Sequence, residues 1–164
     1  MNRVKHYLKE IALFIVVMTI FANIISLYKS SELNQKPLML NSVTLIDNMS
    51  YQLDNNKPIL VHFWATWCPT CKLEAGNIDL ISKHYNVLTI AVNSGSNSDI
   101  QHYLKEHNYN YNVVNDKDGT LSQKFKIAAF PTTFIYDKKH RLKFSEVGYT
   151  STLGLYLRLL WASL

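Results

Sequence analysis

Ile59-Leu60-Val61-His62-Phe63-Trp64 runs into Ala65-Thr66-Trp67-Cys68-Pro69-Thr70-Cys71-Lys72, and this stretch decides the fold. The first six residues are a near-continuous apolar run, the pattern of a central strand buried on both faces. From Pro69 to Tyr85 the pattern turns helical. Cys71, Ala75, Ile78, Ile81 and Tyr85 fall on one stripe at three- and four-residue spacing. Pro69 suits the first helical turn, where its missing N–H is not needed. Both cysteines of the chain therefore sit where a buried strand hands over to a helix.

That placement gives the pair its chemistry. Backbone N–H groups and the helix dipole favour negative charge at a helix N-terminus. A thiolate of Cys68 is stabilised there, and the thiolate is the nucleophilic form. Cys71 lies one turn on, close enough to close a disulfide, and its helical phase turns it to the core. Cys68 is then the exposed attacking thiol and Cys71 the resolving one. Other readings fit less well. A structural disulfide over so short a loop constrains the unfolded chain little. For zinc, His84 follows at a usable distance, but the next histidine is His102, outside the three-to-five spacing. Covalent haem needs histidine after the second cysteine, where this chain has Lys72.

Outward from the motif, strand and helix alternate. Short strands are expected at Val43 to Ile46 and Ser50 to Leu53, around an Asp-Asn turn. Val87 to Val92 is another buried strand. A loop from Asn93 to Ser98 leads to a helix over Ile100 to His107, with Ser98 or Asp99 as N-cap. Asn112 to Val114 is a strand, Asp116 to Gly119 a turn, and Leu121 to Phe125 a helical turn or two. Thr133 to Tyr136 and Leu142 to Val147 make a hairpin across Asp137-Lys138-Lys139-His140. Ser151 to Trp161 closes the chain as a helix, whose Leu153, Tyr156, Leu157, Leu160 and Trp161 form a stripe expected to pack on the sheet. The order β-β-β-α-β-α-β-α-β-β-α predicts an α/β fold with a mixed central sheet and helices on both faces.

The N-terminus reads differently. Ile11 to Leu27 is 17 residues without a charge, about 25 Å as a helix, at the short end of what crosses a bilayer core of about 30 Å. Arg3, Lys5 and Lys9 precede it, which keeps the N-terminus cytoplasmic and sends the rest across. A cleaved signal peptide and a buried core helix are the competing readings. The first lacks a convincing small-x-small cleavage site, and the second fits poorly with a run apolar on all faces. The expected organisation is a flank and transmembrane anchor over 1–29 (helix about 11–28), a linker over 30–36 and one domain over 37–164. The formal net charge of +5 comes mostly from the anchor's flank. The remainder, at +2 with no basic run, gives no case for nucleic-acid binding. Five glycines leave no phosphate loop.

Phe130-Pro131-Thr132 directly precedes a strand. With C-x-x-C upstream, this looks like the cis-proline loop that faces the active-site disulfide in thioredoxin-like folds. A cis bond would present the backbone of Phe130 to a partner chain. Trp-Cys-Pro-Thr-Cys after an apolar strand, then Pro-Thr at a strand start, resembles the thioredoxin superfamily. From Leu60 to Ala162 the chain is similar to the TlpA-like membrane-anchored disulfide oxidoreductases, in particular the suppressor-for-copper-sensitivity protein D type. The residues carrying this are FWATWCPTC (Phe63 to Cys71), AVNSGS (Ala91 to Ser96), VVNDKDG (Val113 to Gly119), FPTTFIYD (Phe130 to Asp137) and EVGYTSTLGLYLRLLWA (Glu146 to Ala162).

The resemblance implies a periplasmic thiol–disulfide oxidoreductase on the inner membrane. Cys68 and Cys71 would be catalytic, Trp67, Phe130 and Pro131 would contact substrate, and Pro69, Thr70, His62 and Glu74 would tune the redox pair. No metal and no cofactor beyond the Cys68–Cys71 pair are expected. The expected partners are proteins with thiols or disulfides and a membrane or periplasmic redox partner, met by a monomer. Two positions depart from the thioredoxin pattern: His62 stands where that family has a buried carboxylate, and Gly76 where it often has a helix-kinking proline. His62 is either a proton acceptor for Cys71 or a hydrogen-bonded core histidine. Glu74 matches an acid of TlpA-like proteins, and a solvated helix face is its other reading. Two further functions stay open: a thiol reductant of cytochrome c maturation, and a tethered Cu(I)-binding module. The direction of electron flow is not readable from sequence.

Overall fold

A computed structural model describes residues 6–7, 9–14, 16–18, 20–21, 33, 36–38, 40, 42–54 and 56–164. The elements are β1 (Ser42–Thr44), β2 (Ser50–Gln52), β3 (Ile59–Trp64), α1 (Pro69–Ser82), β4 (Asn86–Val92), α2 (Asn97–Glu106), β5 (Asn112–Asp116), α3 (Thr120–Lys124), β6 (Thr132–Tyr136), β7 (Leu142–Val147) and α4 (Thr152–Ser163). The order is the expected one, with boundaries shifted by up to three residues.

The main sheet has strand order β5-β4-β3-β6-β7. β3, β4 and β5 run parallel, while β6 is antiparallel to β3 and β7 antiparallel to β6. All six residues of β3 are buried, as a centre strand requires. Its side chains alternate between two cores. Leu60 and Trp64 join Cys71, Ile78, Ile100, Leu155 and Leu159 on the face covered by α1, α2 and α4. Ile59, Val61 and Phe63 join Leu88, Ile90, Phe125 and Phe134 on the other. Helices do not share that second face equally. The β1–β2 hairpin contributes Leu45 and Leu53, the preceding segment contributes Leu38 and Leu40, and α3 adds only Leu121 at the edge.

Three sequence expectations need correction. Leu33 lies inside the predicted linker, yet it is buried in the second core, so the domain recruits chain before residue 37. The cap of α2 is Ser96, not Ser98 or Asp99. Its hydroxyl accepts from the Asp99 N–H, and the Asp99 carboxylate accepts from the Ser96 N–H, a reciprocal capping box. The third is the phase of α4. Leu155, Leu159 and Ala162 are buried against the sheet, whereas Leu153, Tyr156, Leu157, Leu160 and Trp161 are exposed.

About half of the predicted anchor helix over 11–28 lies outside the described residues. Residues 9–14, 16–18 and 20–21 are helical and exposed. Among the described residues, no helix is long and apolar enough to cross a membrane.

Candidate active site

Cys68 is the N-cap of α1, with Pro69 in the first turn. The chain turns out of β3 through Ala65-Thr66-Trp67, where the Cys68 N–H donates to the Ala65 carbonyl at 3.2 Å. Cys68 and Cys71 form a disulfide, with Cα atoms 5.3 Å apart. The Cys71 N–H donates to the Cys68 sulfur at 3.2 Å. On reduction, that donor and the helix N-terminus face the Cys68 thiolate, and hydrogen bonds to a charged acceptor are the stronger kind. Cys71 is buried against the core, as its phase predicted. Cys68 is not the open thiol expected, since it is only 5% exposed in the disulfide. The motif is recessed between its neighbours and belongs to the same apolar cluster as Trp64 and Ala65.

Trp67 is 57% exposed and stands beside the disulfide. Its indole N–H donates to the Asn93 carbonyl at 3.0 Å, and its ring meets Phe130 edge-on at 5.7 Å. That contact joins the α1 loop to the Phe130–Pro131 loop. The Phe130–Pro131 peptide bond is cis, as the sequence predicted. The Pro131 carbonyl accepts from Gly148 at 2.8 Å, which ties the loop to the end of β7. Among the described residues, the backbone N–H and carbonyl of Phe130 have no hydrogen-bond partner. Thr70 is half-buried and Pro69 exposed in the first turn of α1.

His62 and Glu74 are both buried. The His62 Nδ1 is 2.9 Å from the Thr133 hydroxyl, across the β3–β6 register. Burial drives the imidazole down to about 3, so it is neutral at physiological pH. That arrangement is the hydrogen-bonded core histidine, and a group held so low is a poor proton acceptor at neutral pH. For Glu74, the solvated-face reading is corrected. It has no exposed surface and lies on the buried stripe with Cys71, Ala75 and Ile78. One carboxyl oxygen accepts from the Thr150 N–H at 3.2 Å, and the other is buried without a partner. Burial pushes this carboxyl up to about 8, opposed by the Thr150 hydrogen bond and helped by the nearby Glu146 charge. Sequence alone missed Thr133 and Thr150, because each reaches the site through sheet register or loop packing.

Trp64 packs beneath the motif and meets Tyr103 and Tyr111 at 5.4 and 6.1 Å. The tyrosine-rich α2–β5 unit therefore covers this core, and Tyr111 is itself buried. Among the described residues, no group of three or more His, Cys, Asp or Glu is placed to hold a metal ion.

A C-x-x-C disulfide at the start of a helix that follows the central strand, beside a cis-proline loop on a mixed sheet, defines the thioredoxin-like α/β fold. Within that class the chain belongs to the AhpC/TSA family, whose model matches residues 31–145. It is 33% identical to a thioredoxin-like protein of Haemophilus influenzae, over 77% of this chain and 78% of that one. It is 30% identical to the thiol:disulfide interchange protein DsbE of the same organism, over 72% and 68%. Several other curated relatives are matched over only 50% to 63% of their length. Among solved structures, the pneumococcal exposed lipoprotein thioredoxin Etrx1 of Streptococcus pneumoniae is similar, with TM-score 0.65, 25% identity, and 73% and 97% of the two chains covered.

Proposed function

We propose that this protein is a membrane-tethered thiol–disulfide oxidoreductase that exchanges the Cys68–Cys71 pair with protein thiols. The observation that carries it is the disulfide at the start of α1, with the Cys68 sulfur accepting from the Cys71 N–H beside the Phe130–Pro131 loop. Relatives named as thiol–disulfide oxidoreductases support the activity.

In the reducing direction, the Cys68 thiolate attacks one sulfur of a partner disulfide. A mixed disulfide forms and one partner thiolate leaves. The Cys71 thiolate then attacks the Cys68 sulfur, closing the Cys68–Cys71 bond and releasing the second partner thiolate. Two electrons pass to the partner, and the two thiolates take up protons from solvent. Oxidation of a partner dithiol is the same sequence reversed. Trp67 and Phe130 form the apolar rim a partner chain meets, and the Phe130 backbone, without a partner among the described residues, offers strand-like pairing. The redox pair serves as its own cofactor, and Pro69, Thr70 and Glu74 set its poise.

The apolar run over 11–27 and its basic flank support an inner-membrane anchor with the domain in the periplasm. The motifs quoted above support the TlpA-like, suppressor-for-copper-sensitivity protein D type. The test is Cys71→Ser in the full chain. It should trap mixed disulfides through Cys68 that thiol reductants release and that Cys68→Ser abolishes. Failure to trap any partner, together with no titratable dithiol, refutes the reading.

A further inference from the structure

α4 is apolar on two sides. Leu155, Leu159 and Ala162 face the sheet, while Leu157, Leu160 and Trp161 are 45% to 69% exposed on the outer side. An exposed apolar cluster of this kind marks a site of interaction. At the C-terminal end of α4, Trp161 and Leu164 line a shallow cleft with Lys138 and Arg141 of the β6–β7 turn and Lys143 of β7. Asp137, also in the cleft, is occupied by Arg141 at 2.7 Å and Lys143 at 3.6 Å. Lys138 and Lys139 are exposed and have no carboxylate partner among the described residues. Tryptophan and leucine beside basic side chains are the composition of a bilayer interface. The indole sits at headgroup level, the leucines enter the acyl boundary, and lysines reach back to phosphates.

The path of the chain points the same way. The Leu38 N–H donates to the His140 carbonyl at 3.0 Å, so the segment arriving from the N-terminal apolar run enters the domain at this turn. Leu33 is already packed in the core. Leu33 is six steps along the chain from Leu27, a reach of about 20 Å at most. The domain cannot stand far from a membrane that holds residues 11–27. The start of α4 lies beside α1, where the Thr150 N–H donates to Glu74. The disulfide is therefore at the opposite end of α4, a 12-residue helix about 18 Å long.

We propose that the end of the domain formed by Trp161, Leu160 and the Lys138–Lys139 turn docks on an anionic lipid bilayer and turns Cys68–Cys71 away from it. This rests on the reading of residues 11–27 as a tether. The full chain is reconstituted into phosphatidylglycerol/phosphatidylethanolamine vesicles that carry a spin-labelled headgroup lipid. Tryptophan emission is compared between wild type and Trp161→Phe. The expected result is that the spin label quenches the Trp161 contribution, as an indole seated at the headgroup boundary requires, while the emission remaining in Trp161→Phe is unchanged. K138E/K139E, or replacement of the anionic lipid by phosphatidylcholine, weakens that quenching, and disulfide exchange by K138E/K139E stays at the wild-type rate. Equal quenching in wild type and Trp161→Phe overturns the proposal. So does quenching that ignores lipid charge, or shielding of Trp161 that follows protein concentration, which marks a second copy on this face. Failure of the chain to float with the vesicles overturns the tether and the docking together. Flotation without Trp161 quenching overturns the docking alone.

Discussion

Replacing Glu74 by Gln should remove a pH dependence of stability that the buried carboxyl creates. In the native state burial raises the group from 4.5 to about 8. Between those values the folded protein holds a proton that the unfolded chain has released. The stabilisation is fully present below 4.5, shrinks as pH rises, and is gone above 8. His62 works in the opposite sense. Its native value is about 3 against 6.5 unfolded, so its contribution is present above 6.5 and is lost as pH falls toward 3. From pH 4.5 to 6.5 the two slopes oppose each other. Above 6.5 Glu74 acts alone, and the remaining span of about 1.5 pH units corresponds to roughly 2 kcal/mol. Urea unfolding of the oxidised full chain in mild detergent, followed by near-ultraviolet circular dichroism at pH 6.5 and 8, reads the difference. The wild type should lose roughly 2 kcal/mol across that interval, and Glu74→Gln should stay flat. Gln keeps an oxygen to accept from Thr150, so the slope, rather than the absolute stability, is the readout. A wild-type stability that is constant or rises from pH 6.5 to 8, or an equal slope in Glu74→Gln, would show that the Glu74 carboxyl is not held protonated by burial.

Three further outcomes follow from the same geometry. His62→Asn should expose the Glu74 slope down to pH 4.5, so that stability falls steadily from there to pH 8; a curve parallel to wild type below pH 6.5 would show that His62 is not held neutral. Trp67→Ala should slow exchange with protein thiols about tenfold, since an aromatic anchor at an interface is worth about 1–2 kcal/mol, while exchange with glutathione changes little; stopped-flow measurement on both substrates separates the two. Ser96→Ala removes the α2 cap and should cost about 1 kcal/mol in urea unfolding, with disulfide exchange unchanged.

Much of this fold was legible because its strongest signals are local. The ILVHFW run, the C-x-x-C at a helix start and the proline before a strand each state their context within a few residues. Other features are decided by residues remote in sequence. α4 carries leucines on two stripes, Leu153/Leu157/Leu160 and Leu155/Leu159, and periodicity alone cannot say which one meets the sheet. A carboxylate at position 74 suggests a solvated face by residue type, whereas its phase places it between Cys71 and Ala75 on the buried side. Its desolvation depends on the Thr150 loop, far away in sequence. The α2 cap was legible in principle, since Ser96 and Asp99 have capping-box spacing, but the SGSNSD stretch offers several competing caps. Recessing of Cys68 follows from loops that meet only in the folded chain, with the Trp67–Phe130 contact bridging residues far apart in sequence.

The central claim is that Cys68 and Cys71 form one reversible two-electron couple. Equilibration of the full chain in graded glutathione buffers, with free thiols counted by alkylation, tests it directly. A single transition is expected, in which two thiols per chain appear together and which vanishes in Cys68→Ser. A pair that stays oxidised or reduced across the whole series, or thiols that appear one at a time, would contradict it.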